Sequence, residues 1–68
     1  MSIRAFRRLP REERLAIISG VRDPFAKEIL TLAFGGRKVS WAKVAMAIGG
    51  DNSPDSVRMA ATRELAKY

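Results

Sequence analysis

Between Pro24 and Phe34 the chain reads PFAKEILTLAF, and its apolar residues do not share one side of a helix. At about 100° per residue, Phe25, Ile29 and Leu32 form one stripe while Leu30 and Phe34 point nearly the opposite way. A helix that is apolar on two sides must be covered on two sides, so this segment is expected to be the central one. Its neighbours are simpler. Leu15, Ile17, Ile18 and Val21 give one apolar surface, and Trp41, Val44, Ala45 and Ile48 follow the i, i+3, i+4, i+7 rule. Val57, Ala61, Leu65 and Tyr68 make a last stripe, with Ala60 beside it. No segment reads as a strand. In residues 1–9, MSIRAFRRL, only Ile3 and Phe6 fall at helical spacing, which fits a basic arm or a short helix.

The residues between these stripes act as helix punctuation. Pro10 suits a first helical position, where its missing N–H is no loss, and Glu12 and Glu13 follow in the dipole-favoured first turn. Asp23-Pro24, Ser40 and Ser53-Pro54 read as caps and first residues of the next three helices. Gly20 sits near the end of one helix, Gly35-Gly36 is expected to end the next in a left-handed turn, and Gly49-Gly50 stops the one after. The expected fold is all-α: a four-helix small domain over 10–68, preceded by 1–9, with its last helix over 53–68.

Composition narrows the function. A 68-residue chain buries only about 60% of its unfolded surface, so its stability margin is thin. Hydrophobic content of 47% still argues for a folded domain rather than a disordered basic tail. Thirteen Lys and Arg against seven Asp and Glu leave a net charge of +6, and nine of the thirteen are arginine, the side chain that grips phosphate and guanine edges with two prongs. Such a balance most often meets nucleic acid. Without cysteine or histidine, disulfides, Cys/His zinc sites and the usual nucleophile–base pairs have no residues to form them, so neither enzymatic activity nor a cofactor is expected. The lack of thiols fits a reducing cytoplasm, and no apolar run approaches membrane-spanning length. A soluble cytoplasmic protein with no membrane partner is the expectation.

A short helix, a glycine turn and a longer basic helix make the pattern of a helix-turn-helix. Ala45 and Ala61 are small enough for two helices to approach closely, and Val57 anchors the second by its inner side. Asp55, Met59, Thr62 and Arg63 then point outward, with Ser56 and Arg58 on the flanks. Asn52 and Ser53 stand at the positive end of the helix dipole, a place suited to phosphate. Arg37, Lys38 and Lys43 are candidates for gripping the backbone of double-stranded DNA. Plainer roles exist for several of these: Ser40 and Ser53 are caps first, Asp55 complements the dipole as readily as it accepts from a cytosine amino group, and Arg63 suits a helix C-terminus. Trp41 is expected in the core. Arg4, Arg7 and Arg8 are a minor-groove arm, a polymerase contact or a solubilising tail. Met46 and Met59 are expected to be exposed, an adaptable surface for a protein partner.

The stretches "LPREER", "EILTLAFGG", "SWAKVAMAIGG" and "NSPDSVRMAATREL" together resemble region four of bacterial sigma factors, especially the extracytoplasmic-function type. Glu28, Leu30, Leu32, Phe34, Val44, Gly49, Ser53, Pro54, Asp55, Val57, Arg58 and Leu65 follow that family's order, and the likeness covers residues 9–68. It implies a tetrahelical fold whose last helix reads the −35 promoter element and whose opposite side binds the flap of the RNA polymerase β subunit. The sequence departs from the family in a longer turn at Gly49–Asn52, and in Met59 and Ala61-Thr62 where long polar residues are usual. No segment corresponds to the domain that melts promoter DNA, so the expectation is a freestanding or isolated region-four domain, acting as a homodimer or beside a second protein. Two alternatives stand: a module that docks on RNA polymerase or a partner regulator without reading DNA, and a packaging or partition protein using the same motif.

Overall fold

The helix over Pro24–Phe34 is the element on which the others are built. The structure, a computed structural model, describes residues 1–68 and holds five helices and no strand: α1 (Ile3–Arg8), α2 (Arg11–Ser19), α3 (Pro24–Phe34), α4 (Trp41–Ile48) and α5 (Pro54–Leu65). α2, α4 and α5 all pack against α3. Ala26, Ile29, Leu30, Ala33 and Phe34 are buried along it, one continuous face of about 140° at ~100° per residue rather than the two opposite sides expected. Its edges are not. Phe25 is 38% exposed and Leu32 only partly covered, because the flanking helices close over the middle of α3 rather than its whole circumference.

Residues 10–68 hold four of the helices, and the stretch before them, open between a basic arm and a short helix, adds a fifth. The N-terminal stretch forms α1, capped by the Ser2 hydroxyl, which accepts from the Ala5 N–H at 3.1 Å. Six residues are far too few for a helix to persist alone. What holds α1 is Phe6, fully buried and edge-on to the Phe34 ring at 5.1 Å between centroids. α1 also packs against α5, and its arginines Arg4, Arg7 and Arg8 face solvent. A radius of gyration of 10.8 Å matches the ~11 Å of a compact domain of this length.

Asp23, Ser40 and Ser53 cap α3, α4 and α5 as expected, accepting from Ala26, Lys43 and Ser56 amides at 3.2, 3.3 and 3.1 Å. Other local expectations fail, Trp41 among them, which is only partly buried. Pro10 is the residue before α2 rather than its first: its backbone is extended at ψ 151, and its carbonyl accepts from the Arg14 amide at 3.0 Å. Gly35 is right-handed at φ −76, not left-handed. Glycine is suited there because a Cβ would lie 2.5 Å from the Thr31 carbonyl oxygen, which already accepts the Gly35 N–H at 2.9 Å. Tyr68, placed in the last inward stripe, is 50% exposed because α5 stops at Leu65 and the chain turns before reaching it. No helix is long and apolar enough to cross a membrane.

Candidate nucleic-acid interface

The segment joining α4 to α5 is shaped by two glycines with positive φ, Gly49 at 80° and Gly50 at 68°, the only such residues in the chain. Gly49, with ψ −166, lies in a region of backbone space that side chains exclude. Asn52 then reaches back, its side-chain amide donating to the Gly49 carbonyl at 2.9 Å. Ser53 opens α5 by accepting from the Ser56 amide at 3.1 Å, and the two serine hydroxyls lie 3.2 Å apart in a hydrogen bond. Loop and cap together set the direction in which α5 leaves the turn.

α4 and α5 pack on each other with Val44, Ala45, Val57, Ala61 and Leu65 all buried, so the two small alanines sit within the packed cores of their helices. With α5 pinned on that side, its remaining surface is decided by helical period. Asp55, Ser56, Arg58, Met59, Thr62 and Arg63 are all exposed. At ~100° per residue they span an arc of about 160°, with Asp55, Met59 and Thr62 near its centre. Arg58 lies on one edge of the arc, Ser56 and Arg63 on the other. Twelve residues make α5 about 18 Å long, and the exposed arc from Asp55 to Arg63 runs along about 12 Å of it. The Thr62 hydroxyl donates to the Arg58 carbonyl at 2.9 Å, which fixes its rotamer and leaves its lone pairs outward.

Arg37 and Lys38, on the loop after α3, and Lys43, in the first turn of α4, are exposed as well. The one ion pair of the molecule joins Lys67 to the buried Glu64 at 3.3 Å, so none of Arg37, Lys38, Lys43, Arg58 and Arg63 is neutralised by a carboxylate. Sequence reasoning placed these eleven positions on three segments: the α3–α4 loop, α4, and the turn with α5. Eight of them keep freely exposed outward groups. Asn52, Ser53 and Ser56 are different, since their polar groups already hold the turn and the cap together.

One charge was missed. Asp51 is exposed in the turn and, with Asp55, puts two carboxylates beside the N-terminus of α5. They complement the helix dipole. A shallow groove of about 430 Å³ runs beside the turn, lined by Ala42, Ala45, Met46, Asn52 and Pro54 among others, with Met46 81% exposed at its edge. No family model, curated protein or solved structure matches the chain.

Proposed function

We propose that this protein is a helix-turn-helix DNA-binding domain acting in transcription, with α5 laid in the major groove of a duplex. The observation that carries this reading is the exposed ridge of α5, bordered on both edges by arginines that no carboxylate neutralises. A major groove about 12 Å wide admits one helix. With the centre of the arc facing base edges, Asp55, Met59 and Thr62 meet the bases, Asp55 as acceptor for a cytosine amino group and Met59 against a thymine methyl. Arg58 and Arg63 then reach the groove walls, where guanine edges and phosphates both lie within the span of a guanidinium. Arg37, Lys38 and Lys43 grip the backbone beside it, α4 crossing the duplex as the first helix of such pairs does.

The order of motifs that resembles sigma region four supports the same placement and directs it to transcription. A single module of this size contacts few bases, so selective occupancy calls for a second copy or an adjacent DNA-bound protein.

Five unpaired cations at the interface set the electrostatics. Neutralising about five phosphates gives a slope of log K against log salt near −4.5. Selection of bound duplexes from a random pool, followed by fluorescence anisotropy across a salt series, tests the proposal. Arg58→Ala should weaken binding by about 1–3 kcal/mol and relax the preference at one or two positions of the selected site. A pool that yields no enriched sequence, with no duplex binding even at low salt, refutes it.

One observation favours a second reading. Met46 and Met59 are 81% and 48% exposed, and Met46 borders the groove beside the turn. Flexible thioethers suit a protein contact, so the alternative is a module that docks on RNA polymerase or a partner regulator without reading bases. Capture of RNA polymerase by a protein that never binds duplex at low salt would select it.

A further inference from the structure

A second cationic site lies away from the α5 ridge. Arg7 on α1, Arg14 on α2 and Lys38 on the α3–α4 loop converge on a cleft of about 120 Å³ whose remaining walls are Ala33, Phe34, Gly36, Val39 and Trp41. No residue of α5 lines it, and no acidic side chain does either. Three like charges brought together without a counter-charge repel one another, and none of the three is in an ion pair.

Arg14 is the most committed of them. Its Nη1 donates to the Leu9 carbonyl at 3.1 Å and the Arg7 carbonyl at 3.4 Å, which locks the guanidinium against the α1–α2 junction. Its Nε is buried and has no hydrogen-bond partner. An arginine held in this way presents its guanidinium at the wall of the cleft with less hydration than a free surface cation. Arg7 lies over the Phe34 ring at 5.7 Å, and Trp41 meets the same ring edge-on at 5.8 Å.

We infer that this cleft is an anchor site for a glutamate side chain on an acidic segment of a partner protein. Size decides against a larger ligand, since pockets for drug-sized molecules run from about 300 to 1,000 Å³. The lining decides against a duplex phosphate: that group is held on a stiff backbone, whereas the partly exposed Trp41 and Val39 beside the cations suit an anion on a flexible hydrocarbon stem. A glutamate has both parts, two methylenes for the apolar lining and a carboxylate for the three cations. The site is independent of the DNA proposal in every lining residue but Lys38.

Trp41 is the only tryptophan, so its emission reports occupancy directly. The probe is an acetylated, amidated peptide of Glu, Leu and Ala, with its Gln-for-Glu counterpart, inorganic phosphate and a duplex oligonucleotide as competitors. Two variants accompany it. Arg7→Glu reverses a charge on an exposed side chain. Gly36→Glu places a carboxylate on the cleft wall, at a glycine without positive φ where a Cβ meets nothing within 4 Å.

The expected result is a saturable emission change with the Glu peptide and none with the Gln peptide, weakened about tenfold or more in both variants. Should Arg7→Glu lose its helical circular dichroism, Gly36→Glu alone decides. Equal response to the Gln peptide, insensitivity to the variants, or no response at all overturns the assignment. So does displacement of the peptide by phosphate or duplex with the same variant dependence, which would make the cleft a phosphate site. A failed peptide titration leaves duplex binding untouched, and failure to bind duplex leaves the peptide titration standing.

Discussion

Removing the Phe6 ring should cost this protein a large share of its stability. Phe6 has no exposed surface and meets Phe34 edge-on at 5.1 Å, and Phe34 in turn meets Trp41 at 5.8 Å, so three rings from α1, α3 and α4 form one aromatic run. Phe→Ala at a fully buried site costs about 3–5 kcal/mol, the transfer of the ring plus the cavity it leaves. At about 0.05–0.15 kcal/mol per residue, a chain of this length has roughly 3–10 kcal/mol in total. Phe6→Ala should therefore lower the melting midpoint by at least about 12 °C and leave a partly unfolded population at room temperature. Phe25→Ala is the matched control: that ring is 38% exposed, and its loss should cost less than about 2 kcal/mol. Urea melts followed by far-UV circular dichroism and by Trp41 emission would measure each variant. If Phe6→Ala melts within about 0.5 kcal/mol of the parent, α1 does not belong to the core and the description of residues 3–8 as a docked helix fails.

Gly49→Ala should destabilise by about 1–3 kcal/mol in the same melts, because φ +80 with ψ −166 excludes a Cβ. Gly36→Ala, with ordinary φ and open space around a Cβ, should be neutral or stabilising by up to about 1 kcal/mol; equal losses at both glycines would contradict the turn geometry. Ser53→Ala removes the acceptor of the Ser56 amide and should cost about 1 kcal/mol; restoration of the midpoint by Ser53→Asp would confirm that capping is what was lost. In duplex titrations, the double variant Lys43→Ala with Arg63→Ala should bring the salt slope from about −4.5 to about −2.7. A slope that does not move would place both side chains off the phosphates.

Helices α3 to α5 were legible in the sequence because two independent signals agreed at each: an apolar stripe at helical spacing, and a capping residue at its start; α2 showed its stripe and the first-turn Glu12 and Glu13 with no side-chain cap. The caps at Asp23, Ser40 and Ser53 each accept the amide three residues on. The outward face of α5 was legible for the same reason, since burial of Val57, Ala61 and Leu65 leaves Asp55, Arg58, Met59, Thr62 and Arg63 no other direction. Where only one signal existed, reading stopped. Phe6 has one apolar companion in its segment, and whether it docks depends on a socket made by Phe34, far along the chain. Trp41 begins an apolar stripe yet stays half-buried, because at the start of α4 it closes the side of a cleft rather than the centre of the core. Asn52 carried the right chemistry for a phosphate, but its amide satisfies the Gly49 carbonyl that the positive-φ turn leaves without a helical partner.

The Arg7, Arg14 and Lys38 cluster marks the limit of that reading. Each of these side chains, taken with its own neighbours, is an ordinary solvated cation on a helix or loop. They become a site only when α1 folds back over α3 and its last carbonyls capture Arg14. Phe6 is what folds it back, so the cation cluster depends on the aromatic run beneath it. Arg7 and Arg14 would drift apart in a protein whose α1 had undocked, while the α5 ridge, held from inside by Val57, Ala61 and Leu65, has its anchors on other helices as well as α1. Partial loss of α1 should therefore abolish capture of an acidic segment before it abolishes contact with a duplex, and a urea series that reads both at each concentration would show two separated losses if the cleft is built this way and one shared loss if it is not.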